Sequence, residues 1–381
     1  MKPFSIHMKY STAFRIALCT SLLSAFTLGA EEIALHETVQ LPMHHSIGWV
    51  RNNSPGNADA GWNGVLDETK WGTPSPQQVV TRVWSWKPTD AQWRALIQQK
   101  EIPPTEEVQF DLWIPSGVKH VRGIVAISGH GSGDPLFKRA DLRAVAADLG
   151  LALFKFVGNP VQRGFWPRSL LLDRLAAFGE KCAHPELRHA PLFLYGHSNG
   201  TGFSALFAAA EKERVWAWVS MRPGVTFQVA QPDAATVPGL VIFGEDDHFL
   251  ARPSREENLA VIPHLRRSHH VLWSFAVEPK TGHGPGEKTW PLVLSFLRHS
   301  FAARVPVDSA LSAGPILLKT PNEMDGYIGQ PWSSEQGGYQ TLEVSPLRTA
   351  SQEKRNNSPW LLNAEFAKDW QNFQATGSIS Q

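Results

Sequence analysis

Residues 192–202 read Leu-Phe-Leu-Tyr-Gly-His-Ser-Asn-Gly-Thr-Gly: an apolar run, a serine with glycines two places before and two after, and then small residues. A serine set between a strand and a helix can act as the nucleophile of acyl transfer. The glycines supply the physical reason. A sharp strand-to-helix turn forces the serine backbone into a strained conformation and brings Gly196 and Gly200 together, where side chains would collide. The same turn lifts the Ser198 hydroxyl clear of the sheet and sets the free N–H groups of a helix start beside it. The Asn199 N–H is then an oxyanion donor. Because Gly and Ser are common, the bare pattern also fits an ordinary turn with Ser198 or Asn199 as a helix cap. The apolar strand before it and the small-residue helix after it favour the nucleophile. A serine hydroxyl reacts poorly at neutral pH unless a base lies within hydrogen-bond reach and a third group orients that base.

The elements that must position such groups alternate along the chain. Strand-like apolar runs fall at 108–114, 121–127, 151–157, 191–195, 214–220, 238–243 and 270–277. Helical stretches fall at 138–149, 168–182, 199–212, 254–267 and 287–300. Several of the runs are continuously apolar, as strands covered on both faces must be. The alternation predicts an α/β fold: a mostly parallel central sheet with helices on both faces. Ligands of such sheets bind beyond the C-terminal strand edge. Three loops reach there: 158–169 with Arg163, Phe165 and Trp166, 221–228 with Arg222, and the loop carrying His248 and Phe249. Trp166 and Phe249 are candidates for a substrate wall, although Phe165 and Trp166 would equally fill the space beneath a long loop. Arg163 and Arg222 are candidates for a substrate carboxylate, against the plainer reading of solvated surface arginines.

With its elbow, its alternation and the groups that follow, the segment 106–302 resembles the α/β-hydrolase superfamily, in particular secreted serine carboxylesterases and dienelactone-hydrolase-like proteins. The resemblance implies a chain order of serine, acid, histidine. After the run 238–243 comes Gly244-Glu245-Asp246-Asp247-His248. Similar proteins carry their acid three residues past such a glycine, which selects Asp247, with Asp246 next and Glu245 third; a solvated acidic turn is the bland alternative. After the last strand-like run comes Thr281-Gly282-His283-Gly284, which resembles the family's Gly-His-Gly ending and selects His283 among the 15 histidines. His269 and His270 stand at a strand start, and His44 and His45 lie outside the core. Residues 128–133, Ser-Gly-His-Gly-Ser-Gly, resemble the family's oxyanion loop, with the Ser132 N–H as first choice of second donor and Gly131 as the next. Ser132 as nucleophile is set aside because it lacks the elbow. The resemblance implies hydrolysis of a carboxylic ester through an acyl-enzyme, with no cofactor and no metal.

The remaining sequence bounds the setting. Residues 1–30 carry Lys2, Lys9 and Arg15, no acid, a 13-residue apolar run from Ile16 to Leu28, and small residues at 29–30. This is the layout of a signal peptide, 13 residues being short for a membrane span, so a secreted or periplasmic protein is expected. Removing it takes 36 basic residues to 33 against 35 acidic ones. That near-neutral balance gives no sign of a nucleic-acid partner. It also leaves Cys182 alone, so no internal disulfide can form. Residues 31–105 form an irregular extension with six of the 15 tryptophans and one helix expected near 90–100. They either pack against the core or offer aromatic platforms to a glycan ester, packing being favoured. Residues 303–381 form an accessory segment ending in a helix capped at Ser358-Pro359, with Leu362, Phe366, Trp370 and Phe373 as its apolar stripe. The expected reaction partner is a small-molecule or glycan ester. A serine peptidase of the same fold and a non-catalytic binding protein are the rival functions.

Overall fold

A computed structural model describes residues 31–42, 105–158, 168–223, 232–250, 255–307 and 314–379. The signal-like segment, the expected helix near 90–100, six of the tryptophans, Arg163 and Trp166 lie outside the described residues. Eight strands form one sheet: β1 (Ile33–Pro42), β2 (Thr105–Ile114), β3 (Gly123–Ser128), β4 (Leu151–Val157), β5 (Leu192–His197), β6 (Val215–Met221), β7 (Gly239–Gly244) and β8 (Trp273–Glu278), in spatial order β1-β2-β4-β3-β5-β6-β7-β8. β1 and β2 are antiparallel to each other, and β2 is antiparallel to β4. From β4 to β8 every pairing is parallel. This is the α/β architecture expected from the alternation.

The continuously apolar runs are explained by cover on both faces. Register aligns Phe154 with Ala126 and Leu194, and Leu153 with Val125 and Phe193, so Phe154 and Phe193 face opposite ways. The helices are α1 (Gly133–Lys138), α2 (Ala140–Leu149), α3 (Arg168–Lys181), α4 (Thr201–Ala210), α5 (Arg255–His269) and α6 (Thr289–Arg304). On the Phe154 side, Phe178 of α3 and Phe203 of α4 meet the sheet edge-on, against Phe154 at 6.0 Å and Phe156 at 4.7 Å. On the other side α6 sends Phe296 to Phe193 and Phe301 to Trp216, at 6.3 and 5.4 Å. All of β3, β5, β6, β7 and β8 is buried.

Strand β1 stands where the sequence reading has only irregular chain. Its exposure alternates residue by residue, the period-two signature of a half-covered antiparallel strand.

Beyond α6 the chain forms a small sheet, β9 (Tyr327–Gly329), β10 (Val344–Pro346) and β11 (Trp360–Leu361), in the order β10-β9-β11, with the short helix α7 (Gln352–Asn357) and the final helix α8 (Ala364–Thr376). The cap of α8 differs from the expected one. Asn363 caps it, its side chain accepting the Phe366 N–H, while Ser358-Pro359 lead into β11. Proline after serine suits a helix start, but here the two-residue strand comes first. Phe366, Trp370 and Phe373 are buried as the stripe requires. The segment is bonded to β8, the last strand of the large sheet. Trp370 donates to the Phe275 carbonyl at 2.7 Å, and the Gln374 amide both accepts from Val277 N–H (3.3 Å) and donates to Val277 C=O (2.7 Å). A side-chain amide thus replaces the neighbouring strand that an edge would otherwise recruit. Among the described residues no helix is long and apolar enough to cross a membrane.

Candidate functional site

The strand order reverses between β3 and β5, and the loops of interest leave the C-terminal ends of β3, β5, β7 and β8. Ser198 directly follows β5 at φ +55, the left-handed region that a residue with a Cβ adopts only under local compulsion. The compulsion is visible in the two glycines. A Cβ on Gly196 would overlap the Gly200 carbonyl oxygen, and one on Gly200 would press on the Ser128 hydroxyl. Residues Ser198–Gly200 form a 3₁₀ turn that runs into α4. Ser198 itself is only 9% exposed.

The Ser198 hydroxyl lies 2.7 Å from His283 Nε2, and His283 Nδ1 lies 2.9 Å from Asp247 Oδ2. With Nδ1 protonated, the ring donates to the carboxylate and accepts from the hydroxyl. Asp247 is 1% exposed, and its other oxygen accepts the Phe249 N–H at 2.9 Å. Burial works against its charge. The bonds from His283 and Phe249 and the positive field of His283 and Arg222 outweigh that, and hold the carboxyl below its usual range. The neighbouring acids point elsewhere. Asp246 is exposed. Glu245 accepts the Lys280 N–H at 3.0 Å and the Gly338 N–H at 2.8 Å, joining the acid turn to the histidine loop and to the C-terminal segment. The ring of Phe249 lies 4.7 Å from that of His283, and His248, mostly exposed, stands at 5.7 Å.

Two expected roles need correction. The Ser132 N–H does not face an open site; it donates to His197 Nδ1 at 2.7 Å, and the Ser132 hydroxyl is bonded to Tyr195 OH at 2.6 Å. A donor already used within a buried pair is not free for an oxyanion. Gly131, the next choice, has φ +60, a conformation that glycine adopts freely. Arg222 is not a surface arginine awaiting a carboxylate. It is fully buried, at φ +49 just past β6, and ion-paired with the buried Glu278. Its remaining bonds go to the Gly282 carbonyl (3.2 Å) and the Thr281 hydroxyl (3.1 Å), while Glu278 also takes the Gly286 N–H (3.1 Å) and the Thr289 hydroxyl. The pair therefore frames the loop that carries His283.

Sequence reasoning also passed over Lys155. This buried residue lies opposite Asp111 in the β2–β4 register and is bonded to Asp111 and to Asp134, the second residue of α1. It tethers the helix that follows the 128–133 loop. A lysine inside an apolar strand, as in Leu-Ala-Leu-Phe-Lys-Phe-Val, is the signal that could have found it, since such a charge needs a partner. Among the described residues, no group of three His, Cys, Asp or Glu side chains is arranged to hold a metal ion.

Strand order, elbow and crossovers together make this an α/β-hydrolase fold. The sequence matches no family model and no curated protein. Solved structures similar to it include an S-formylglutathione hydrolase from Agrobacterium tumefaciens, at 12% identity over 50% of this chain and 86% of that one, with a TM-score of 0.36. A dienelactone hydrolase from Anabaena variabilis is 19% identical over 51% of this chain and 91% of its own, with a TM-score of 0.35. A poly(3-hydroxybutyrate) depolymerase from Bordetella parapertussis is 17% identical over 55% and 88%, with a TM-score of 0.37.

Proposed function

We propose that the protein is an exported serine hydrolase that cleaves carboxylic esters. The observation that supports this most directly is the chain of contacts Ser198–His283–Asp247, built on a serine held in left-handed backbone. In this reading Ser198 Oγ attacks the ester carbonyl carbon while its proton passes to His283 Nε2. Asp247 keeps Nδ1–H toward itself and stabilises the imidazolium. The Asn199 N–H and, with Ser132 engaged elsewhere, the Gly131 N–H receive the oxyanion. Each such donor is worth about 2.7–4 kcal/mol of transition-state stabilisation. The tetrahedral intermediate collapses as His283 returns the proton to the departing alcohol. A water then attacks the acyl-enzyme with His283 again as base, releasing the acid and restoring Ser198. Export rests on the charged, apolar and small-residue layout of residues 1–30.

A fluorophosphonate probe tests the mechanism. One label per chain is expected, at Ser198, and none in Ser198→Ala, with hydrolysis of short p-nitrophenyl esters falling more than about a thousandfold in that variant. Labelling at another residue, or none in a folded sample, overturns the reading. Preferential cleavage of aminoacyl p-nitroanilides would keep the triad and assign a peptidase.

A further inference from the structure

Three loops meet at one imidazole. His197, the residue before the serine, has Nδ1 2.7 Å from the Ser132 nitrogen and Nε2 2.8 Å from the His283 carbonyl oxygen. A backbone N–H can only donate and a carbonyl can only accept. Nδ1 must therefore be bare and Nε2 must carry the proton, which fixes both the neutral state and the tautomer. The ring is held on every side. A Cβ on Gly131 would overlap Nδ1, so only glycine fits above it. The His283 ring lies 5.2 Å away, and the side chain is buried. Burial foremost pushes the His197 imidazole down to about 4; its bond to the His283 carbonyl opposes this, and the charges of His283, Arg222 and His130 add to it.

We infer that His197 is a positioning residue: one neutral imidazole locks the oxyanion loop and the histidine loop to the elbow, so that nucleophile, base and oxyanion donors share a single register. The inference rests on the reading of Ser198 and His283 as nucleophile and base. It gives the His position of the Gly-His-Ser-Asn-Gly motif a function that its sequence place does not announce. Displacement of a reacting group by about 1 Å costs on the order of a hundredfold in rate, so a residue that never touches substrate can govern turnover from here.

Two near-isosteric variants separate the two arms. His197→Asn keeps an acceptor where Nδ1 stands and loses the donor to His283. His197→Gln keeps a donor near Nε2 and loses the acceptor for Ser132. With kcat expressed per serine titrated by the fluorophosphonate, each variant is expected to lose roughly 10–100-fold in kcat with KM within about twofold, and His197→Ala to lose more than either. Long-range proton–nitrogen NMR of the unsubstituted protein is expected to show His197 neutral with the proton on Nε2 at pH 7. Unchanged kcat per titrated serine in both isosteres, even with a lowered melting temperature, would reduce His197 to a packing residue and overturn the inference. So would an Nδ1–H or doubly protonated ring at pH 7. Failure of the parent reading looks different, since the unsubstituted protein would then not label at Ser198 at all.

Discussion

The elbow and the histidine loop hold the two ends of one hydrogen bond, yet they are fixed in contrasting ways. Ser198 is fixed by its own neighbours: five consecutive residues, two of them glycines in mutual contact, dictate its backbone. His283 draws on others: Glu278 at the end of the strand just before it and, from farther along the chain, Arg222 past β6, Glu245 from the acid turn and His197 from the elbow itself. The proposed nucleophile is thus written in a short motif, whereas the proposed base, on a glycine-rich loop, draws on partners elsewhere in the sequence. Local compulsion should fail locally and completely; distributed support should fail by degrees and be open to repair from elsewhere.

The sharpest break of that contrast is Gly196→Ala. Its Cβ would meet backbone, which no side-chain rearrangement relieves, so labelling of Ser198 should disappear and no second substitution outside the elbow should restore it. Recovery by a remote change would show that the elbow too is held from afar. The next largest effect concerns orientation of the proposed base. Asp247→Asn should lower kcat by about 10⁴-fold, whereas Asp246→Asn, at an exposed site, should stay within a few-fold. The reverse order in a standard ester assay would move the acid by one residue.

Arg222→Met probes the distributed side. It strands the Glu278 carboxylate in the interior and should cost about 3–5 kcal/mol in denaturant unfolding, with kcat per titrated serine falling as the loop loosens. Adding Glu278→Gln removes the stranded charge and should recover most of the stability, a repair the elbow does not offer. An unchanged kcat in the single variant would mean that the loop supports itself as the elbow does.

The smallest effect is a matter of pH. An ordinary imidazole titrates near 6.5 and His197 near 4, so the unfolded chain takes up this proton first as the solution is acidified. The contribution of His197 to stability is therefore complete above pH 6.5 and declines between about 6.5 and 4, by on the order of 3 kcal/mol. The depressed Asp247 carboxyl acts in the same direction further into acid. Unfolding midpoints measured across this range should slope less in His197→Gln; an identical slope would assign the loss to other groups, such as His189 and His264, which burial also depresses.

This contrast also marks what the sequence makes legible. The elbow reads directly because its constraint is contiguous. Several of the strands read from unbroken apolar runs, which burial on both faces requires. The choice of Asp247 over Asp246 comes from the family resemblance and not from the string itself; in the structure Asp247 is buried against His283 while Asp246 is exposed. Arg222 looks like any surface arginine because its partner stands 56 residues away. Ser132 looks like a donor because nothing in the string announces that the histidine 65 residues on will claim its N–H. The alternation of β1 is present in Ile-Ala-Leu-His-Glu-Thr-Val, but nothing in the string joins it to the run at 108–114 that lies in its partner β2.

The seal on β8 has a consequence in time. Trp370 and Gln374 lie 95 and 97 residues beyond the backbone groups they cover. A ribosome adding about 5–20 residues per second needs roughly 5–20 s to traverse that interval. A chain folded only as far as β8 would leave the Phe275 and Val277 backbone groups bare to any extended chain nearby. The final helix is therefore the last element needed to close that rim.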